Sequence, residues 1–190
     1  MFLLKRLIRS SKDELRSMLE RARSTKDCYQ NGMRIGKSHS LIVEESKSRE
    51  VSVSRHGQHI TVMLPVGAYL NSPEIVRAIR EVEVSALRVE AKSYLPKRLL
   101  YLSTKLGLSY DKVRFSHASG RWGSCSSKGT ISLNIALMKL PFELIDYVII
   151  HELSHTRHMN HSATFWKLVE SADSQYKQHR RALKAENPSI

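Results

Sequence analysis

The stretch HELSHTRHMNH, residues His151 to His161, places four of the chain's nine histidines in eleven positions, with Glu152 beside the first. His151 and His155 are four apart, so on a helix they stand on one face, one turn apart. Two imidazoles so placed can hold one Zn²⁺ at ~2.0–2.1 Å each. The Glu152 side chain leaves the helix about 100° from His151. From there its carboxylate can reach a zinc-bound water without being drawn in as a ligand. This is the HExxH arrangement, in which the glutamate serves as general base. Catalytic zinc needs a third protein ligand and an open fourth position. His161 follows His155 by six residues, about 9 Å of rise on a straight helix. The segment 157–160 must therefore turn if His161 is to reach the metal. His158 could in principle coordinate, but three residues after His155 it should still lie in the frayed helix end, so His161 is favoured and His158 is expected as a hydrogen-bond donor behind the ligands or as a solvent-facing residue. A chain of this composition would contain HExxH by chance roughly 0.03 times, and with the third histidine on the order of one time in a thousand. That rarity weighs against histidines that merely decorate a surface helix.

The elements that position these groups follow from the pattern on either side. Pro141 can open a helix, because its missing N–H and fixed φ are harmless there. Leu144, Ile145, Val148, Ile149 and Leu153 then recur at helical spacing, so the histidine helix is apolar and belongs inside the domain. A further helix follows, marked by Phe165, Leu168, Val169, Ala172 and Tyr176. Upstream, residues 1 to about 30 read as a basic amphipathic helix. Residues 41–64 read as an antiparallel meander with a turn at Gly57, flanked by His56 and His59 as exposed loop residues. Pro73 opens a long helical pattern that Pro96 either breaks or restarts, and Gly107 closes it. Val113–Ser116 and Ile131–Leu137 read as strands joined by a glycine-rich connection.

Composition bounds the rest. The 190 residues, 41% hydrophobic and 26% charged, suit one globular domain with an appendage. We expect the boundary at 36/37, with residues 1–36 as a helical extension and 37–190 as the domain. No apolar run approaches the ~20 residues of a membrane span. The opening MFLLKRLI is short and basic, and reads as the start of a helix rather than a secretory signal. Two separated cysteines, Cys28 and Cys125, form no disulfide framework, so a reducing, cytoplasmic setting is expected. A net charge of +13 makes nucleic acid a candidate partner through a basic surface.

Two stretches, RWGSCSSKGTISLN (121–134) and PFELIDYVIIHELSHTRHMNHSATFW (141–166), resemble the YgjP-like zinc metallopeptidases, relatives of the SprT-like and WLM groups. AKSYLPKRLLYLSTKLGL (91–108) resembles the upstream helix of that family. The likeness covers roughly residues 85–185. It implies an α+β, zincin-like domain: a small, mostly antiparallel sheet, an HExxH helix and a following C-terminal helix. The amphipathic N-terminal helix would be an addition. It also implies that His151, His155 and His161 hold zinc and that Glu152 is the catalytic base. Metzincins share the ligand spacing, but they place glycine where this chain has His158, and no Met-turn follows.

The 121–134 segment would lie by the cleft as a hairpin, with Arg121, Trp122 and Asn134 as candidate substrate contacts, Trp122 more readily as core packing, and with an edge for an extended peptide. Cys125 is expected as a packing residue. Arg121, Tyr176 and His179 are the candidates to stabilise an oxyanion. The expected activity is peptide-bond hydrolysis of a protein or peptide substrate. The alternatives are a zinc-stabilised nucleic-acid-binding module, or a protease acting on DNA-bound proteins.

Overall fold

The structure, a computed structural model, describes residues 28–190. The amphipathic helix expected over residues 1 to about 30 lies almost wholly outside the described residues. Tyr29 and Ile35, in the segment before the expected 36/37 boundary, are buried in the main core.

The first sheet has strands β1 (Arg34–Ile35), β2 (His39–Ser46), β3 (Ser52–His56) and β4 (His59–Pro65), in the order β1-β2-β4-β3. β3 and β4 form the expected hairpin, with Gly57 left-handed at the turn (φ 57°). The meander ends there, because β2 runs parallel to β4. Burial accounts for the difference. β4 carries the fully buried Ile60 and Val62 and takes a central place, where both its edges are paired. β3 has no buried residue and takes the edge.

Helix α1 (Pro73–Leu106) is one continuous element of 34 residues, about 50 Å long. Pro96 neither breaks nor restarts it. Buried Leu95 and Leu99 on either side of the proline hold the helix in the core. The carbonyl that Pro96 leaves unbonded belongs to Lys92, an exposed residue within reach of water. Gly107, at φ 62°, ends the helix as expected.

Glu90 of α1 clasps the first sheet. Its buried carboxylate accepts hydrogen bonds from the backbone N–H of Lys37 (2.7 Å), Ser38 (2.8 Å) and His39 (3.1 Å), and also from the Ser38 hydroxyl (2.8 Å). His39 Nδ1 lies 2.6 Å from the same carboxylate. Gly36 (φ 64°) must be glycine, since a Cβ would overlap that carboxylate. A second tie runs from the Tyr29 hydroxyl to Glu83 (2.6 Å), which also meets Lys139 Nζ at 3.0 Å.

The second sheet has strands β5 (Lys112–Ser116), β6 (Gly123–Cys125) and β7 (Thr130–Asn134), in the order β5-β7-β6. β5 and β7 are parallel, and β6 and β7 form a hairpin. The strand expected to reach Leu137 stops at Asn134, where a 3₁₀ turn (Ile135–Lys139) begins. The Asn134 side chain accepts from Ala136 N at 3.0 Å and caps that turn. Three helices follow: α2 (Phe142–Ser154), α3 (Ala163–Ala172) and α4 (Tyr176–Lys184). α1 packs against both sheets and against α2, where Arg98 makes a two-pronged ion pair with Asp146 (2.7 and 2.5 Å). The architecture is α+β, and three of its five strand pairings are antiparallel.

Candidate metal centre and cleft

α2 buries Leu144, Ile145, Val148, Ile149 and Leu153, the apolar face read from the sequence. Its last turn presents His151 and then His155, which is itself the C-terminal cap. The helix stops because its final carbonyls find local partners. Thr156 Oγ1 donates to Leu153 O at 2.8 Å, and the N–H groups of Arg157 and His158 donate to Ser154 O. The chain then turns, and Ser162 caps α3 by accepting from Phe165 N. His161 sits just ahead of that cap and faces back toward α2.

One ligand atom from each of His151, His155 and His161 lies within 4.8 Å of the other two. His151 Nε2 and His161 Nε2 are 3.1 Å apart. Two nitrogens bound tetrahedrally at ~2.0–2.1 Å would be separated by roughly 3.3 Å. The spacing therefore suits a zinc-sized ion. Phe165, fully buried, packs beneath all three rings, with centroids 5.0, 4.5 and 4.8 Å from His151, His155 and His161. Trp166 stacks on His161 at 5.5 Å. His155 Nδ1 donates to the carbonyl of His158 (3.0 Å), which turns its Nε2 toward the other rings. His158 thus acts through its backbone, a role its side-chain type did not signal. His151 Nδ1 is buried and, among the described residues, has no hydrogen-bond partner.

The electrostatics suit a cation site. Burial, then the charges of His155, His161 and Arg180, pushes the His151 pKa down to about 3. Burial also lowers that of His155, with the His158 carbonyl opposing. Both imidazoles are neutral at neutral pH, with a lone pair to offer. Three imidazole nitrogens on a preformed framework suit a divalent metal ion, and among the described residues no fourth ligand joins the cluster.

Glu152 is buried at the junction of α2 and β6. Burial raises its pKa to about 8, and the charge of Arg121 pulls the other way. A Cβ on Gly123 would stand 2.8 Å from Glu152 Cγ and Oε1, so the β6 backbone lies directly against this side chain. Cys125, also on β6, stays outside the histidine cluster. Burial, and then the charge of Glu152, raises the pKa of its thiol.

A cavity of about 360 Å³ opens beside His151 and Glu152. Trp122 lines it. Arg121 reaches Glu152 through its charge but is not part of the wall. Asn134 is a correction. It is fully buried, and its amide nitrogen donates to the carbonyls of Ala118 (2.7 Å), Arg121 (3.0 Å) and Pro188 (3.2 Å). With its oxygen capping the 3₁₀ turn, it has nothing left for a substrate. Tyr176 is buried against Trp166, and His179 Nδ1 pairs with Asp173 at 2.7 Å. Neither lines the cavity. Tyr147, Val148, Arg180, Leu183, Lys184 and Pro188 do, and the sequence reading missed them all. The available signal was the four-residue spacing of Arg180 and Lys184 on one face of α4.

Among the described residues, no helix is long and apolar enough to cross a membrane. No curated protein matches the chain. Two solved structures are similar to it. One is the metallopeptidase zymogen of Pyrococcus abyssi abylysin, 28% identical, covering 47% of this chain and 91% of its own, with a TM-score of 0.44. The other is the metallopeptidase zymogen of Methanocaldococcus jannaschii jannalysin, 18% identical, covering 47% and 93%, with a TM-score of 0.42. The YgjP-like metallopeptidase domain matches residues 3–186, a span that takes in both sheets, the three clustered histidines and the cavity wall up to Lys184, and so the chain belongs to the YgjP-like metallopeptidase family.

Proposed function

We propose that the chain is a zinc-dependent endopeptidase, with His151, His155 and His161 as the metal ligands and Glu152 as the general base. The convergence of the three imidazoles within 4.8 Å, beside the buried Glu152, carries this reading. When bound, the zinc supplies a Lewis acid that draws the pKa of water toward ~7 and polarises the scissile carbonyl. The chain's own residues do the rest. Glu152 takes a proton from the attacking water at its carboxylate and returns it to the leaving amine. Phe165 and the His158 carbonyl fix the rings, so little reorganisation is needed. Among the described residues β6 is an edge strand against Glu152, and its outer backbone is the edge an extended peptide would join. Trp122 forms part of the wall that receives the substrate side chain.

A closed structural zinc site, as in a nucleic-acid-binding module, ordinarily uses four ligands. The three-histidine set supports the open, catalytic form instead. The deciding experiment pairs metal analysis with cleavage of casein and of a fluorogenic peptide. Glu152→Gln is expected to retain zinc and lose at least about 100-fold in kcat/KM. A variant that cleaves like the wild type removes Glu152 from the mechanism.

A further inference from the structure

The cavity holds more positive charge than hydrolysis needs. Arg180 and Lys184 stand one turn apart on α4, and both line the same wall. The only carboxylate on that wall is Glu152, which the chemistry already employs. Among the described residues, neither Arg180 nor Lys184 has an acidic partner within 4 Å. Arg180 sits over an aromatic ring instead. Its guanidinium lies 4.6 Å from the Trp166 ring centre, and Trp166 stacks on His161. That contact engages none of the guanidinium N–H donors in a hydrogen bond, which leaves them for a ligand. The remaining wall is apolar: Trp122, Tyr147, Val148 and Leu183. An apolar pocket with two unneutralised cations at one side matches a carboxylate carried on a short hydrocarbon stem.

Building on the peptidase reading, we infer that this cavity is a specificity pocket for a substrate carboxylate, seated by Arg180 and Lys184 beside the scissile bond. The carboxylate comes either from an Asp or Glu side chain next to the cleaved bond or from the substrate's C-terminus. Both sources present the same planar anion to the Arg180 fork. Lys184 adds a second charge one turn further along α4.

The test uses the full chain and fluorogenic peptides matched in sequence. One set carries Glu or Gln at the positions flanking the scissile bond. The other ends in a free carboxylate or an amide. The expected result is about a ten-fold preference in kcat/KM for the charged member of one set, the set that responds naming the source. Arg180→Gln should bring that ratio to within about two-fold of unity, and Arg180→Lys should restore part of it. Equal cleavage within both sets by the wild type overturns the inference. So does an Arg180→Gln protein that slows both members by the same factor, since that pattern places Arg180 at the reacting carbonyl. Should Arg180→Gln not fold, the exposed Lys184→Gln carries the test, and an unchanged preference in it is equally fatal.

Binding of the same peptides to Glu152→Gln protein, followed by fluorescence anisotropy, separates this idea from the hydrolytic one. Tighter binding of charged peptides without cleavage by the wild type would leave the pocket standing and remove the peptidase reading. Cleavage without any charge preference would do the reverse.

Discussion

Gly123 shows how much the site depends on a side chain that is not there. The Glu152 carboxylate occupies the volume a Cβ would fill, so β6 and α2 approach as closely as a strand and a helix can. Gly123→Ala should push Glu152 off its position, and misplacing a catalytic group by about 1 Å can cost on the order of 100-fold. We expect kcat to fall by about 10- to 100-fold while the zinc content per chain stays that of the wild type. An unchanged kcat would mean that the contact is slack. At this scale the sequence was most readable where spacing alone defines geometry. His151 and His155 stand a turn apart, and His161 lies where only a turn could return it. Asn134 was unreadable for the opposite reason. An asparagine looks the same whether its amide faces substrate or three backbone carbonyls.

Among the elements, the 121–134 hairpin and the C-terminal segment are joined through that single amide. Asn134 fixes the loop at Ala118 and Arg121, touches Pro188, and starts the 3₁₀ turn that delivers the chain to α2. Asn134→Ala would remove the partner of three backbone carbonyls and of one buried N–H. An unfolding free energy lower by about 3 kcal/mol is expected, read from urea denaturation midpoints. A change below about 1 kcal/mol would show that water replaces the amide. The asparagine also explains why the alternation of Ile131, Leu133, Ile135 and Leu137 suggested a longer strand. The last two are buried in the 3₁₀ turn, where a hydrophobic side chain serves equally well. Likewise, the pattern in residues 41–64 revealed three strands but not their order, because burial sets which strand is central and burial is a property of the assembled sheet. Pro96 misled because a proline's cost depends on whether the carbonyl one turn back is solvated.

Across the whole molecule, Glu90 ties the first sheet to α1, and it does so as an anion. Burial alone would raise its pKa. The donors from Lys37, His39 and Ser38 outweigh that and bring it below the ordinary 4.5. A carboxyl whose folded pKa is depressed adds stability above its unfolded pKa and loses it as pH falls through the folded value. The stability difference between wild type and Glu90→Gln should therefore be steady above about pH 5 and shrink progressively below about 4.5. Guanidinium melts at several pH values would measure it, and a difference independent of pH over that range would mean that the clasp does not need its charge.

The long α1 rod gives this tie its reach. It is seated on one sheet through Glu90, touches the other, and braces the histidine-bearing helix through Arg98 and Asp146. There is consequently no seam along which the described part of the molecule could part into a chemical half and a scaffolding half. A lesion in the strands farthest from the imidazoles would reach them as a tilt of their shared beam, and drift in the catalytic geometry would be its first symptom.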